Sequence, residues 1–226
     1  MITSAPDFPI KASRSHDTQQ ALMRAVERIA AQKGVENISI REILTAAQQK
    51  NESALQYHFK NFSGLLAAVR ADRAREIDEA RRLYIDQVIR ESNPPSLRQI
   101  CEIMVMPPFR LAKASPSFRH FVKAFSHELA HMDEQSTKVF TQHMNQSSDL
   151  VIDLLRAAVP HLDKALFFIR IQHALKLTSI AMSTHAQKPG AFRGKSTELF
   201  VHSLIDSVEG LLSAPVSKAT QSALKK

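Results

Sequence analysis

The chain of 226 residues is 44% hydrophobic and 23% charged, which is typical of a globular protein with enough apolar residues for a core. Its only cysteine, Cys101, excludes an internal disulfide framework, and no apolar run approaches the roughly 18 residues of a transmembrane helix, so we expect a cytoplasmic protein without a membrane partner. The formal net charge of +8 favours anionic partners in general, but most of the basic excess lies after residue 91, so charge alone does not identify a nucleic-acid-binding segment.

Hydrophobic periodicity predicts helices along nearly the whole chain, and the predicted fold class is therefore all-α. Residues 1–15 have the composition of a disordered arm. Asp17 followed by Gln20 forms a capping box, which predicts the start of the first helix, and Gly34 predicts its end.

A second capping box, Ser39 with Glu42, predicts the start of the next helix. We expect a helix over about 40–47, a turn over 48–51 and a short helix over about 52–59. The i, i+4 spacing of Leu55 and Phe59 indicates the buried face of the third helix.

Asn61 caps a predicted long helix over about 62–91, which Asn93-Pro94-Pro95 ends. The next predicted helix spans 97–106 and is ended by Pro107-Pro108. The remaining predicted helices span 116–132, 133–158, 163–186 and 196–213, and a disordered tail spans 214–226. The C-terminal two thirds of the chain are therefore also helical.

Three short helices followed by a long one, with a tight turn between the second and third, are the arrangement of a DNA-binding helix-turn-helix. Its segments Ala21–Gly34, Ser39–Ile43 and Ser53–Phe59, above all the ending Leu-Gln-Tyr-His-Phe, resemble the N-terminal domain of the TetR family of bacterial transcriptional regulators. The predicted domains are a disordered arm (1–15), a helix-turn-helix DNA-binding domain (16–62), a C-terminal effector-binding and dimerisation domain joined by the long helix (63–213) and a disordered tail (214–226).

The side chains around the third helix divide by the DNA group that each suits. Amide, hydroxyl, ammonium and methyl groups suited to base edges lie at Gln49, Lys50, Asn51, Ser53, Ala54 and Gln56. Donors suited to phosphate oxygens lie at Ser39, Tyr57, His58 and Lys60. The first set would carry sequence preference, and the second would position the protein on the duplex.

Two positions depart from the pattern of the TetR family. Gln48 stands where family members usually have glycine, which is freer to adopt a positive φ in the turn. Phe62 stands where they usually have a basic residue, so we expect Lys60 to supply the phosphate contact instead.

The sequence His127-Glu128-Leu129-Ala130-His131 matches the HExxH pattern of zinc metallopeptidases. Its context does not support a catalytic zinc site, because no third ligand follows at a suitable spacing and Lys123 lies one turn before His127. We therefore expect no enzyme and no cofactor, and His127 and His131 are the only candidates for a metal site. A zinc metallopeptidase and a protein-interaction module without DNA binding are the alternative functions.

The last two predicted helices carry more apolar surface than one helical layer covers, which favours a subunit interface over a monomer core. The candidate interface residues are Leu175, Val201, Leu204, Ile205, Val208, Leu211 and Leu212. A homodimer presents two recognition helices, which suits a palindromic operator.

The resemblance also implies a small-molecule effector bound within the C-terminal helices. Apolar residues suited to such a pocket, or to an ordinary core, are Met104, Met106, Phe109, Phe121, Phe125, Phe140 and Met144. The expected function is a ligand-responsive regulator, a repressor by resemblance, that binds DNA as a dimer in the bacterial cytoplasm and associates with the nucleoid when bound.

Overall fold

The computed structural model of the protein describes residues 11–125 and 146–224. Within these ranges the chain is helical and contains no strand, which confirms the predicted all-α class for this part of the protein. The helices are α1 (Lys11–Lys33), α2 (Ile40–Ala46), α3 (Ser53–Phe59), α4 (Phe62–Glu91), α5 (Leu97–Ala114), α6 (Pro116–Phe125), α7 (Gln146–Ala158), α8 (Lys164–Ala186), α9 (Lys195–Ser213) and α10 (Lys218–Leu224), with a 3₁₀ turn at Val35–Asn37.

The chain divides into two compact units, Met1–Asp72 and Arg73–Lys226, and the division falls within α4. The functional domain boundary predicted between residues 62 and 63 stays a prediction. Each unit has its own buried apolar residues.

In the first unit, α2 and α3 pack against α1. The fully buried side chains include Leu22 and Val26 of α1, Ile43 of α2 and Leu65 of α4. The buried carboxylate of Glu27 accepts a hydrogen bond from Arg24 Nη1 at 2.7 Å, so its charge is compensated within α1.

In the second unit, α5 is the central helix and packs against α6, α7 and α9, while α8 packs against α6 and α9. The core includes Ile100, Cys101 and Phe109 of α5, Phe118 of α6, Phe167 of α8 and Val201, Ile205, Val208 and Leu212 of α9. Burial raises the pKa of the Cys101 thiol to about 12, so this cysteine is an unreactive core residue.

Buried polar side chains join the second-unit part of α4 to α6 and α7. The Arg73 guanidinium donates to Ser117 Oγ at 2.6 Å and lies 5.2 Å from the ring centroid of Phe118. Ser147 Oγ donates to Asp78 Oδ1 at 2.5 Å, and this carboxylate also receives Arg82. Because these charges are paired and hydrogen-bonded, the helices pack here without an uncompensated buried ion.

Two helix starts differ from the sequence predictions. α1 begins at Lys11, so Asp17 lies inside the helix and does not cap it. Residues 11–16 contain neither glycine nor proline, and a helix propagates through such a stretch once nucleated. The predicted disordered tail also contains α10, where the Ser217 hydroxyl accepts the Thr220 N–H at 3.2 Å near the helix start.

The predicted end of α5 at Met106 is wrong, because the helix continues through Pro107 and Pro108 to Ala114. Proline fits the φ of a helix but removes two backbone donors. Burial of Phe109 and Ala112, which are 2% and 0% exposed, offsets this loss.

Candidate nucleic-acid interface

The Ser39 capping box predicted from the sequence is confirmed. Ser39 Oγ accepts from the Glu42 N–H at 3.3 Å, and the Ser39 N–H donates to Glu42 Oε2 at 2.9 Å. Lys33 Nζ also donates to Glu42 Oε1 at 2.7 Å, and this bond, with those from Ser39, lowers the pKa of Glu42 to about 2. The start of α2 is thus tied to the end of α1 by a carboxylate that stays charged in neutral solution.

The turn between α2 and α3 contains Gln48 with a φ of 56°. This left-handed conformation is the one in which glycine is favoured, and the structure accommodates glutamine there. The Gln49 N–H donates to the Leu44 carbonyl at 2.8 Å, and Gln49 Nε2 donates to the Ala47 carbonyl at 3.2 Å. Gln49 therefore has a structural role that the sequence prediction did not assign.

α3 separates apolar and polar side chains by face. Leu55 and Phe59 are 2% and 6% exposed, as their spacing predicts. Ser53, Gln56 and Tyr57 are exposed, Tyr57 to 80%. A tyrosine so exposed on a helix otherwise anchored by apolar residues offers its ring and hydroxyl to a partner.

Asn51 precedes α3 and accepts the Ser53 N–H on its Oδ1 at 3.1 Å. This bond satisfies one of the backbone donors that a helix start leaves open. The side chain predicted to read a base thus also stabilises the start of α3.

The end of α3 leads into α4 by a compact bend. Lys60 has a φ of 66°, and Asn61 Oδ1 accepts the Gly64 N–H at 2.8 Å. A Cβ on Gly64 would lie 2.0 Å from the Phe59 carbonyl oxygen, so the close approach of α3 and α4 requires glycine. Phe62, the departure from the family pattern, is half-buried.

The predicted DNA-contacting residues all lie on or beside α2, the turn and α3, and all are at least partly exposed. Exposed positions are Ser39, Lys50, Asn51, Ser53, Gln56, Tyr57 and Lys60, and half-buried positions are Gln49, Ala54 and His58. Sequence analysis did not anticipate Lys33, whose exposed ammonium pairs with Glu42, because that contact joins two different helices.

The residues predicted for an effector pocket are buried or half-buried where the structure describes them. Met104 and Phe109 belong to the core, Met106 packs against it, and the Phe121 and Phe125 rings stack at 5.4 Å. Phe140 and Met144 lie outside the described residues. A cleft of about 460 Å³ lies instead between α8 and α9.

The predicted subunit-interface residues need correction. Val201, Leu204, Ile205, Val208 and Leu212 are at most 5% exposed, because the chain's own core buries them. Leu175 and Leu211 are half-buried against the same core. The large apolar side chains that α8 and α9 do expose are Phe168, Ile169, Ile180 and Leu199.

The HExxH residues His127, Glu128 and His131 lie outside the described residues. Within residues 11–125 and 146–224, no group of three His, Cys, Asp or Glu side chains is arranged to hold a metal ion. Over the same ranges no single helix has the length and hydropathy of a membrane span, and only α9 and α10, bent by 61°, reach them as a pair.

Comparison with known proteins identifies the C-terminal part of the chain. No curated protein matches the sequence. Residues 102–210 match the family model of the tetracyclin repressor-like C-terminal domain, a stretch that runs from the first turns of α5 nearly to the end of α9. With the helical architecture, this match supports membership of the TetR family, whose members are generally transcriptional repressors.

Proposed function

We propose that the protein is a sequence-specific DNA-binding transcriptional regulator and that α3 is its recognition helix. The observation that carries this proposal is the two-faced character of α3. Its inner face is fixed by Leu55 and Phe59, while Ser53, Gln56 and Tyr57 project from a helix whose start and end are both held by hydrogen bonds. A short, rigid helix with an exposed polar face is suited to enter a major groove.

Base recognition is assigned to the entry and outer face of α3. Gln56 is the central candidate, because its exposed amide suits the paired donor and acceptor of adenine. Lys50 and Ser53 are exposed at the entry to the helix, and Ala54 offers a methyl group to thymine. Gln49 and Asn51 contribute less, because their amides already bond to the turn and to the start of α3.

Phosphate contacts are assigned to the residues around this face. The exposed hydroxyl of Tyr57 and the ammonium of Lys60 are donors of the required kind, and His58 lies between them in sequence. Ser39 is a weaker candidate, because its hydroxyl donates to Glu42 Oε2 at 2.7 Å. Position 62, at the start of α4, is Phe62 and not a basic residue. Lys60 therefore supplies the cation for a phosphate contact here.

The functional unit is a homodimer that reads a palindromic operator in the bacterial cytoplasm, associated with the nucleoid. The exposed Ile169 and Ile180 of α8 and Leu199 of α9 support this assembly, because exposed apolar side chains are stabilised by burial against a second subunit. A small-molecule effector bound by the C-terminal helices makes the regulator, a repressor by family, responsive to ligand.

DNA binding by the full chain is tested by selecting bound fragments from genomic DNA and measuring affinity against salt concentration. We expect Lys60→Ala to weaken binding to all fragments and to reduce the salt slope by about 1, whereas Gln56→Ala relaxes preference at particular bases. Lys218→Ala, which removes an exposed charge on α10, is the matched control and leaves both unchanged. An affinity that shows no dependence on salt for any fragment contradicts the proposal and favours a protein-interaction module.

A further inference from the structure

Arg81 of α4 occupies a position on the apolar face of its helix. Spacings of four residues place it in line with Ile77, which packs against the core of the second unit, and with Ile85, which is 3% exposed. A charged side chain is seldom buried at such a position without an ionic partner. Arg81 is half-buried, and desolvation lowers the pKa of its guanidinium, an effect that the nearby Asp78 carboxylate offsets only in part.

Arg81 has hydroxyl partners and no carboxylate partner in the part of the chain that the structure describes. Its Nη1 donates to Ser148 Oγ at 2.8 Å and to Ser147 Oγ at 3.4 Å, at the start of α7. The next residue, Arg82, instead pairs with Asp78. Both oxygens of that carboxylate are engaged, since Ser147 Oγ donates to Oδ1 and Arg82 donates to Oδ2. Asp78 is therefore not available as a direct counter-ion for Arg81.

The side-on edge of the Arg81 guanidinium, formed by Nε and Nη2, is not used by the protein. Neither nitrogen donates to an acceptor within residues 11–125 and 146–224. Neither is sealed from solvent, because the only enclosed side-chain polar atom without a partner in those ranges is Thr178 Oγ1. Nε and Nη2 present two parallel N–H groups, which match the two oxygens of a carboxylate. The Ser148 hydroxyl accepts from the same guanidinium and keeps its own proton to donate.

We propose that the effector of the regulator is an organic carboxylate and that Arg81 recognises it. The carboxylate accepts two hydrogen bonds from Nε and Nη2 of Arg81 and one from the Ser148 hydroxyl. Its single negative charge balances that of Arg81, and the apolar neighbours along α4 favour an apolar body on the ligand. The site lies on α4 and α7, so it leaves α8 and α9 to the proposed dimer. The role of this ligand as an effector rests on the proposed function, whereas its binding does not.

Binding is tested with para-fluorobenzoate, whose fluorine NMR signal is recorded as the full chain is added. We expect saturable binding that Arg81→Met weakens about tenfold or more, because methionine removes the charge and the paired donors. Arg90→Met makes the same change at an exposed position of α4 and leaves the affinity unchanged. The uncharged para-fluorobenzamide binds neither protein. Arg81→Lys keeps the charge without the paired donors and also binds the probe more weakly, so the test does not depend on one variant.

Thermal unfolding distinguishes a ligand site from a contact that only holds α4 against α7. Without the probe, we expect Arg81→Met to be at least as stable as the wild type, because a desolvated charge without a counter-ion is removed. The probe raises the melting temperature of the wild type and leaves that of Arg81→Met unchanged. A less stable variant, with no effect of the probe on either protein, assigns Arg81 to helix packing and overturns the proposal.

DNA affinity, measured in the same proteins with selected genomic fragments, tests the role of the ligand as an effector. We expect para-fluorobenzoate to change the DNA affinity of the wild type and not that of Arg81→Met. A wild-type chain that does not bind the probe, or equal weakening by Arg81→Met and Arg90→Met, refutes the site even where DNA binding is salt-sensitive. Absence of salt-sensitive DNA binding, with the probe bound at Arg81, contradicts the regulator proposal and leaves the carboxylate site standing.

Discussion

Gly64 lies so close to the end of α3 that a side chain at this position collides with the Phe59 carbonyl oxygen. The atom that a new side chain would meet belongs to the backbone and cannot move aside as a flexible side chain can. We therefore expect Gly64→Ala to lower the free energy of unfolding by about 2 kcal/mol or more. Gly210 of α9 is the matched control, since a Cβ there meets nothing within 4 Å and alanine favours a helix interior by about 0.5–1 kcal/mol. Urea unfolding checks both; equal effects of the two variants contradict the argument.

The buried His185 makes the stability of the second unit depend on pH. Its folded-state pKa lies below the ordinary 6.5, so the unfolded chain takes up the proton first as the pH falls. The contribution of neutral His185 is therefore complete above pH 6.5 and is lost progressively below it.

We expect the free energy of unfolding to fall more steeply between about pH 7 and pH 5 in the wild type than in His185→Gln, whose side-chain amide oxygen remains an acceptor for the Phe192 N–H. The other histidines contribute equally to both slopes, so the difference between the slopes reports on His185 alone. Identical slopes in the two proteins show that His185 does not titrate differently on folding.

Local hydrogen bonds between near neighbours are predictable from sequence, whereas contacts between distant elements are not. The Ser39–Glu42 box follows from spacing alone, because both partners lie within one helical turn. The acceptor role of His185 depends on the path of the chain between α8 and α9, which spacing does not encode. Asn51 lies between these cases: its amide was assigned to DNA although an equally local bond to Ser53 was available.

At the scale of elements, the turn between α2 and α3 depends on the left-handed conformation of Gln48. We expect Gln48→Gly to raise the free energy of unfolding by up to about 1 kcal/mol, because glycine adopts this conformation without steric cost. Gln48→Val lowers it by about 1 kcal/mol, since a β-branched residue disfavours a positive φ. Thermal unfolding followed by circular dichroism measures both changes, and the opposite order of stability refutes the role of the turn.

The helices were more predictable than their ends. The bounds of α4 coincide with the prediction, because Asn61 signals its start and the Asn93-Pro94-Pro95 sequence signals its end. α5 passes through Pro107 and Pro108 because tertiary burial outweighs two lost hydrogen bonds. The local sequence does not show how much this burial stabilises the helix, so the end of α5 could not be predicted.

For the whole molecule, the exposed apolar residues of α8 and α9 predict how the protein assembles. Ile180 and Leu199 are 46% and 74% exposed, and we expect the double variant Ile180→Glu, Leu199→Glu to be a monomer at concentrations at which the wild type is a dimer. Leu83→Glu is the control, because Leu83 is 72% exposed on α4 and has no part in the proposed interface. Sedimentation equilibrium distinguishes the two states; a dimeric double variant places the interface elsewhere.

The apolar periodicity of α9 predicts a buried stripe of side chains. It does not distinguish burial in the chain's own core from burial against a second subunit. Val201, Ile205 and Val208 proved to face the chain's own core, so the sequence identified burial correctly and its cause incorrectly. The exposed face of α3 was more predictable, because the inner positions Leu55 and Phe59 leave only one outer face on so short a helix.

The two prolines within α5 have a consequence for the polarity of the interior. In an α-helix the N–H groups of residues 107 and 108 would bond to the carbonyls of Ile103 and Met104, and proline supplies neither donor. Hydrogen-bonding capacity at this buried level is therefore set by the backbone and not by the side chains, which are apolar. Replacing Met104 with another apolar residue changes the shape of this region but keeps both carbonyl acceptors. Replacing Pro107 or Pro108 with another residue adds a backbone N–H donor for one of these carbonyls and leaves the side chains at 103 and 104 unchanged.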